Sequence, residues 1–330
     1  MCRTANGFDI NGFGQLKDGR GNICPVTIIM PTIAMKAKER FPQDFKYSSL
    51  EECFIDLLDK KIHEAKDMLI ERFEYICSQS PDAAKFMYEN NLMAGYVPEE
   101  GIRSALKHGT LAIGQLGLAE TLQILIGCDH TEEKGMLLAK EIEQLFKKRC
   151  LEFKEEYKLN FGVYYTPAEN LCFTSMTKFK ETYGEIPNVS DKKFFTNSMH
   201  VPVWKEVTPI EKIDIESQLT GYSSAGCITY VELDGTVNHN LGALETLVNY
   251  AMDKDIPYFA INIPLDTCMD CGFTNELNDT CPQCGSHKIQ RLRRITGYLT
   301  GDYTTAFNEG KQQEVEMRIK HMTFQGRHSN

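Results

Sequence analysis

Hydrophobic residues recur every three or four positions in several stretches of the chain, which predicts amphipathic helices. The clearest stretch covers residues 50–78, where a polar face lies opposite the apolar one. Ser48 and Ser49 precede it and are suited to cap its first turn. The same spacing predicts further helices over residues 133–153, 238–255 and 308–321.

Short apolar runs between these helices predict buried strands. Residues 26–29 are β-branched and are flanked by prolines, and residues 227–233 and 257–264 are similar apolar runs. Helices that alternate with such strands indicate an α/β fold with parallel strands. The composition changes near residue 265, where cysteines cluster, so we expect a small module after that position.

Composition excludes several classes of protein. With 42% hydrophobic and 25% charged residues over 330 positions, the chain is typical of a globular protein. A net charge of −10 argues against a general nucleic-acid or membrane binder. Residues 111–127 are the most apolar, but Gln115 and Glu120 interrupt them, so we interpret this run as a buried helix. No signal peptide is recognisable, and we expect a cytoplasmic protein.

Four of the twelve cysteines form two closely spaced pairs, Cys268/Cys271 and Cys281/Cys284. A glycine follows each pair and permits the tight turn that directs two sulfurs toward one ion. Four thiolates complete the closed tetrahedral shell of a structural Zn²⁺. The alternatives are disulfides, which are rare in the cytosol, and an iron–sulfur cluster.

The segment RRITGYLTGDY (293–303) places Gly297 behind an arginine, an aliphatic residue and a small residue, and ahead of an aromatic one. A radical on a glycine α-carbon can stay planar and delocalise into the flanking amides, because no side chain opposes it. The simpler alternative is a tight turn with Gly297 at positive φ. The nearby Arg291, Arg293 and Arg294 either position this loop or form a solvated strand face.

The order of these features resembles the anaerobic (class III) ribonucleoside triphosphate reductases, a family of glycyl-radical enzymes. The resemblance runs along the chain through CRT (2–4), GRGN (19–22), IGQLGLAE (113–120), YTPAEN (165–170), TNSMHVPV (196–203) and the glycine segment. It implies the second half of a ten-stranded α/β barrel over residues 1–265. A zinc-binding module over 266–290 would follow, and then a radical loop and C-terminal helix over 291–330.

The resemblance also implies roles for individual residues. Cys2 matches the cysteine that becomes a thiyl radical, Gly297 the glycine that stores the radical, and Asn22 a polar residue near the ribose or formate. Loop capping explains Asn22 equally well. One further segment matches the start of a substrate-binding helix, and it comprises Thr166, Pro167, Ala168, Glu169 and Asn170. The start of a helix can bind phosphate through its free amide groups. An ordinary helix start is the alternative.

The implied activity is anaerobic reduction of ribonucleoside triphosphates, with formate as the reductant. A separate activase, using a [4Fe–4S] cluster and S-adenosylmethionine, would install the radical. Family members carry a further N-terminal half, so we expect a partner chain that supplies it, and a homo-oligomer. The alternatives are a truncated inactive copy, a partial gene, or a non-catalytic interaction subunit stabilised by zinc.

Overall fold

The computed structural model describes residues 5–165, 170–235, 237, 240–295 and 298–321. The chain divides into two compact units. The first unit comprises residues 1–166 and 219–227, and the second comprises residues 167–218 and 228–330. The predicted boundaries at residues 265 and 290 remain a prediction.

Three parallel strands form the sheet of the first unit. They are β1 (Val26–Ile29), β2 (Thr110–Leu116) and β3 (Asn160–Tyr164), and β2 lies in the middle. Ile28 pairs with Gln115. Every residue of β2 and β3 is buried, as expected for a parallel sheet covered by helices. The parallel arrangement requires long crossover connections, and the helices provide them.

Six α-helices lie between these strands along the described chain: α1 (Met30–Arg40), α2 (Leu50–Cys77), α3 (Lys85–Glu89), α4 (Arg103–Leu106), α5 (Leu118–Ile126) and α6 (Glu133–Tyr157). The predicted helices over 50–78 and 133–153 are confirmed as α2 and α6. Ser49 caps α2 by accepting a hydrogen bond from the amide of Glu52. The centre of the apolar stripe of α2 is fully buried, at Phe54, Leu58, Ile62, Leu69 and Phe73.

The prediction of one buried helix over 111–127 is wrong. The segment forms strand β2 and then helix α5, with Gly117 between them at φ +77°. A run that is apolar on every side has no periodicity that separates a buried strand from a buried helix. Gly117 adopts a left-handed conformation that favours glycine, and it divides the run into the two elements.

The second unit begins with α7 (Asn170–Tyr183) and most of α8 (Pro209–Thr220). A parallel pair follows, in which α9 (Leu241–Asp253) connects β4 (Thr229–Glu232) to β5 (Phe259–Asn262). This confirms the predicted order of strand, helix and strand. The core of this part consists of buried aliphatic residues: Ile213, Val231, Leu233, Leu247, Ala251 and Ile256.

In the part of the chain that the structure describes, the antiparallel strand pairs all follow residue 264, where the composition changes. The strands are β6 (Leu265–Cys268), β7 (Thr274–Asn275), β8 (Ile289–Ile295) and β9 (Tyr298–Thr300), in the spatial order β7-β6-β8-β9. Two helices, α10 (Tyr303–Ala306) and α11 (Glu309–Met317), follow them. Among the described residues, no helix combines the length and the apolarity needed to cross a bilayer.

The glycines that flank α5 provide a matched pair of stability tests. Gly117 and Gly127 have nearly the same φ (+77° and +76°), but only at Gly117 would a Cβ meet a neighbour, 2.5 Å from Pro31 Cγ. Gly127→Ala should therefore cost only the backbone term, about 1–2 kcal/mol. Gly117→Ala should cost at least about 1 kcal/mol more, because the new methyl group overlaps Pro31. Urea unfolding of both variants measures the difference, and equal losses would contradict the described contact.

Candidate metal centre and active-site elements

Four sulfurs meet at one point in the antiparallel part of the second unit. The Sγ atoms of Cys268, Cys271, Cys281 and Cys284 all lie within 4.8 Å of one another. Cys268 Sγ lies 3.5 Å from Cys284 Sγ, and Cys271 Sγ lies 3.6 Å from Cys281 Sγ. These distances exceed a disulfide bond, and all four cysteines are free. Around a tetrahedral ion with zinc–sulfur bonds of about 2.3 Å, sulfurs lie about 3.8 Å apart, so the four sulfurs fit a metal ion.

The two cysteine pairs have the same backbone turn. Gly272 and Gly285 both adopt φ +74°, as expected for the glycine after each pair. The amide of Gly272 donates to the carbonyl of Cys268, and the amide of Gly285 donates to that of Cys281, both at 2.9 Å. The amide of Cys271 is the main group that lowers the pKa of Cys268, to about 6, although burial raises it. Backbone amides thus favour the thiolate form that binds metals.

A buried carboxylate attaches the cysteine module to β8. Asp266 in β6 is fully buried, and its two oxygens lie 2.5 and 3.2 Å from the Arg293 guanidinium. Asp266 also accepts a hydrogen bond from the amide of Leu277. Arg291 donates to the carbonyl of Leu277 and to Asp279. Arg291 and Arg293 therefore hold the module that carries the cysteines, and they are not a solvated strand face.

The two predicted radical residues, Cys2 and Gly297, lie outside the described residues. Strand β8 ends at Ile295 and β9 begins at Tyr298, so the described chain reaches both sides of the glycine segment. The carbonyl of Arg294 accepts a hydrogen bond from Arg318 at 2.5 Å. The radical roles of Cys2 and Gly297 remain predictions.

Asn22 lies in the first unit at the approach to β1, where it forms a parallel bridge with Thr110. Its Nδ2 donates to the carbonyl of Ala225 at 3.2 Å. Its Oδ1 is buried, and within the described ranges no donor reaches it. A buried acceptor without a donor costs free energy unless a water or a ligand satisfies it. The Nδ2 group of Asn22 therefore stabilises the fold, and its Oδ1 is suited to accept a hydrogen bond from a hydroxyl group.

A buried polar cluster that the sequence did not indicate fixes the segment shortly after Cys2. Asp9 lies 2.7 Å from His108 Nδ1 and accepts a hydrogen bond of 2.6 Å from the amide group of Asn160. The backbone amides of Asn11 and Phe13 also donate to Asp9. Asp9 is 99 positions from His108 and 151 positions from Asn160 in the sequence, so no local pattern connects the three residues.

The predicted phosphate-binding segment is only partly described. Thr166, Pro167, Ala168 and Glu169 lie outside the described residues, and Asn170 is the first residue of α7. Asn170 Oδ1 accepts hydrogen bonds from Asn308 Nδ2 at 3.0 Å and from Lys311 Nζ at 2.6 Å. This oxygen is therefore engaged by the C-terminal part of the second unit.

Solved structures establish the fold class. The chain superposes on an anaerobic ribonucleotide reductase with a TM-score of 0.73 and 22% identity, over 92% of this chain and 46% of that one. It also matches the Thermotoga maritima anaerobic ribonucleotide reductase in complex with dATP and CTP, with a TM-score of 0.67, 21% identity and coverage of 96% and 48%. These likenesses confirm the predicted mixed α/β fold of the ribonucleotide reductase type.

Sequence comparison establishes the family. The model for anaerobic ribonucleoside-triphosphate reductase matches residues 1–321, so the chain belongs to this family, as predicted. The Escherichia coli K12 enzyme of that name is 33% identical over 97% of this chain and 45% of its own length. The corresponding phage T4 enzyme is 31% identical over 93% of this chain and 50% of its own length. The chain thus spans about half the length of these curated relatives.

The cysteine cluster should bind one metal ion per chain. Cys271→Ser removes one of four ligands, so metal content measured by elemental mass spectrometry should fall well below that of the wild type. Cys77→Ser changes a free cysteine outside the cluster and should keep the full content. Equal metal content in the two variants would show that the cluster is not the binding site.

The Asp9 cluster should make stability depend on pH. Burial raises the pKa of Asp9, but hydrogen bonds from Asn160, His108 and two amides lower it to about 2. Because the folded pKa lies below the unfolded value of about 3.9, the stabilisation is present above pH 4 and is lost as the pH falls toward 2. Between pH 6 and pH 3, the free energy of unfolding should fall by about 1 kcal/mol more in the wild type than in Asp9→Asn. Parallel pH profiles from urea unfolding would contradict this assignment.

Proposed function

We propose that this chain provides the radical-carrying half of an anaerobic ribonucleoside-triphosphate reductase, with Gly297 as the radical site and Cys2 as the thiyl residue. The observation that carries the proposal is the family match over residues 1–321, which includes both positions. The four-cysteine cluster close before the glycine segment supports it.

The proposed reaction converts a ribonucleoside triphosphate and formate, with one proton, into a deoxyribonucleoside triphosphate, carbon dioxide and water. A [4Fe–4S]/S-adenosylmethionine activase removes a hydrogen atom from Gly297, and the radical passes to the Cys2 sulfur. The thiyl removes the 3′-hydrogen of the ribose, and the 2′-hydroxyl leaves as water. Formate supplies the two electrons, and Cys2 returns the hydrogen atom to C3′.

The remaining predicted residues would bind and orient the substrate. The unsatisfied Oδ1 of Asn22 is suited to accept a hydrogen bond from a ribose hydroxyl. Residues 166–170 would bind phosphate through the amides that precede helix α7. Correct placement of the reacting atoms accounts for much of the catalysis in such an enzyme, because the radical itself supplies the reactivity.

The ion proposed for the cysteine cluster is Zn²⁺. Four cysteine ligands leave no coordination position for a substrate or a water molecule, so the ion would be structural. Its place in the proposed mechanism is to stabilise the module that Asp266 attaches to β8.

Turnover would also require the region that corresponds to the first half of the longer relatives. We propose that this region assembles with residues 1–321 into the complete barrel, within a homo-oligomer. The alternative is that the chain is inactive or has a purely structural role, and activation of Gly297 distinguishes the two.

Activation and exposure to oxygen test the radical site. A glycyl radical reacts with oxygen and breaks the backbone at its own position, so the activated wild-type chain should release a fragment of residues 298–330 in air. Gly297→Ala should stay intact because an alanine radical is less stabilised. Mass spectrometry detects the fragment, and electron paramagnetic resonance detects the radical before air is admitted.

Cys2→Ala is the matched control, because it removes the proposed thiyl and leaves Gly297 in place. It should be cleaved like the wild type. If the wild-type chain stays whole while a longer relative is cleaved in parallel, Gly297 is not activated in this chain, and the structural role is favoured.

A further inference from the structure

Helix α11 contacts two segments of the proposed active site, one at each end. At its N-terminal end, Asn308 caps the helix and also donates to Asn170 Oδ1. Lys311, one turn along, donates to the same oxygen at 2.6 Å and is only 5% exposed. Two donors, Asn308 and Lys311, therefore hold the first residue of α7, which is also the last residue of the predicted phosphate-binding segment.

At its C-terminal end, α11 holds the strand that leads toward Gly297. Arg318 directly follows the helix and donates to the carbonyl of Arg294, the next-to-last residue of β8. The same guanidinium lies 2.9 Å from a Glu232 oxygen and 3.2 Å from a Glu314 oxygen. The three charged side chains are at most 12% exposed.

The charges make this end of the helix difficult to move. If Arg318 left its position, the buried Glu314 carboxylate and the largely buried Glu232 carboxylate would lose this positive partner, and uncompensated buried charges are strongly destabilising. Asn262 donates to Glu232 at 2.9 Å and so fixes that carboxylate as well. The planar guanidinium can bind two carboxylates and a carbonyl together, which a lysine ammonium cannot match in geometry.

Close packing joins the other end of α11 to α7. A Cβ at Gly310 would lie 2.8 Å from Phe173 Cβ, so the two helices approach closely enough to exclude even a methyl group. Hydrogen bonds and packing therefore make α11 a rigid link between the start of α7 and the end of β8.

We infer that Lys311 and Arg318 are positioning residues for the radical segment. Through α11, they fix the strand that leads into Gly297 relative to the start of the proposed substrate-binding helix. This inference rests on the proposed function for the identity of the two segments. It predicts that weakening the contacts between α11 and α7 also makes strand β8 less rigid.

Amide hydrogen exchange tests the link without requiring a radical. Lys311→Met removes the ammonium group that donates to Asn170 at the start of α7, and the amides of residues 289–295 should then exchange about 5–30 times faster than in the wild type. Arg318→Lys should have the same effect from the other end. The matched control is Glu309→Gln, at the first residue of the same helix. It breaks an exposed ion pair between Glu309 and Lys193 and should leave exchange in β8 unchanged.

Where the activated chain carries a radical, oxygen should consume it about fivefold faster in both variants than in the wild type, because the segment around Gly297 is held less firmly. Thermal unfolding shows that the variants are folded. If β8 exchanges at the wild-type rate in folded Lys311→Met, or if only α7 is affected, the inference is wrong. If the wild type carries no radical, the proposed function fails, while the exchange result still decides whether α11 links the two segments.

Discussion

The pairing of Asp266 with Arg293 is the interaction on which the C-terminal part of the fold depends. A carboxylate with no solvent exposure must be compensated, and removing one partner of such a pair typically costs about 3–5 kcal/mol. Asp266 also accepts the amide of Leu277, so one side chain joins strand β6, strand β8 and the loop between the cysteine pairs. The four-cysteine module and the strand that approaches Gly297 therefore share one anchor.

The sequence indicated features whose signals are local. The apolar stripe of α2, its serine cap and the glycines that follow the cysteine pairs each depend on residues a few positions apart. Glycine at positive φ has a direct physical cause, and the structure shows it at both Gly272 and Gly285.

Features set by distant contacts were not predictable in this way. The run at 111–127 was assigned to a single helix because burial on all sides removes periodicity, and strand β3 (Asn160–Tyr164) was overlooked. Asp9, His108 and Asn160 meet only after the sheet forms. The amide of Asn22 was recognised through resemblance alone, and the unsatisfied state of its oxygen required coordinates.

The central position of β2 has a consequence for the order in which the first unit can form during synthesis. Strand β1 is made more than 80 positions before Gln115, with which Ile28 pairs, and helix α2 is made between them. Among the strands described for this sheet, β2 is the one that pairs with β1, so this pairing waits until β2 emerges. Contacts so distant along the chain form slowly, and transiently exposed apolar surface promotes aggregation. Slow translation before residue 110 would therefore lengthen the exposure of these segments, so the yield of folded protein should depend on chaperones that bind the incomplete chain.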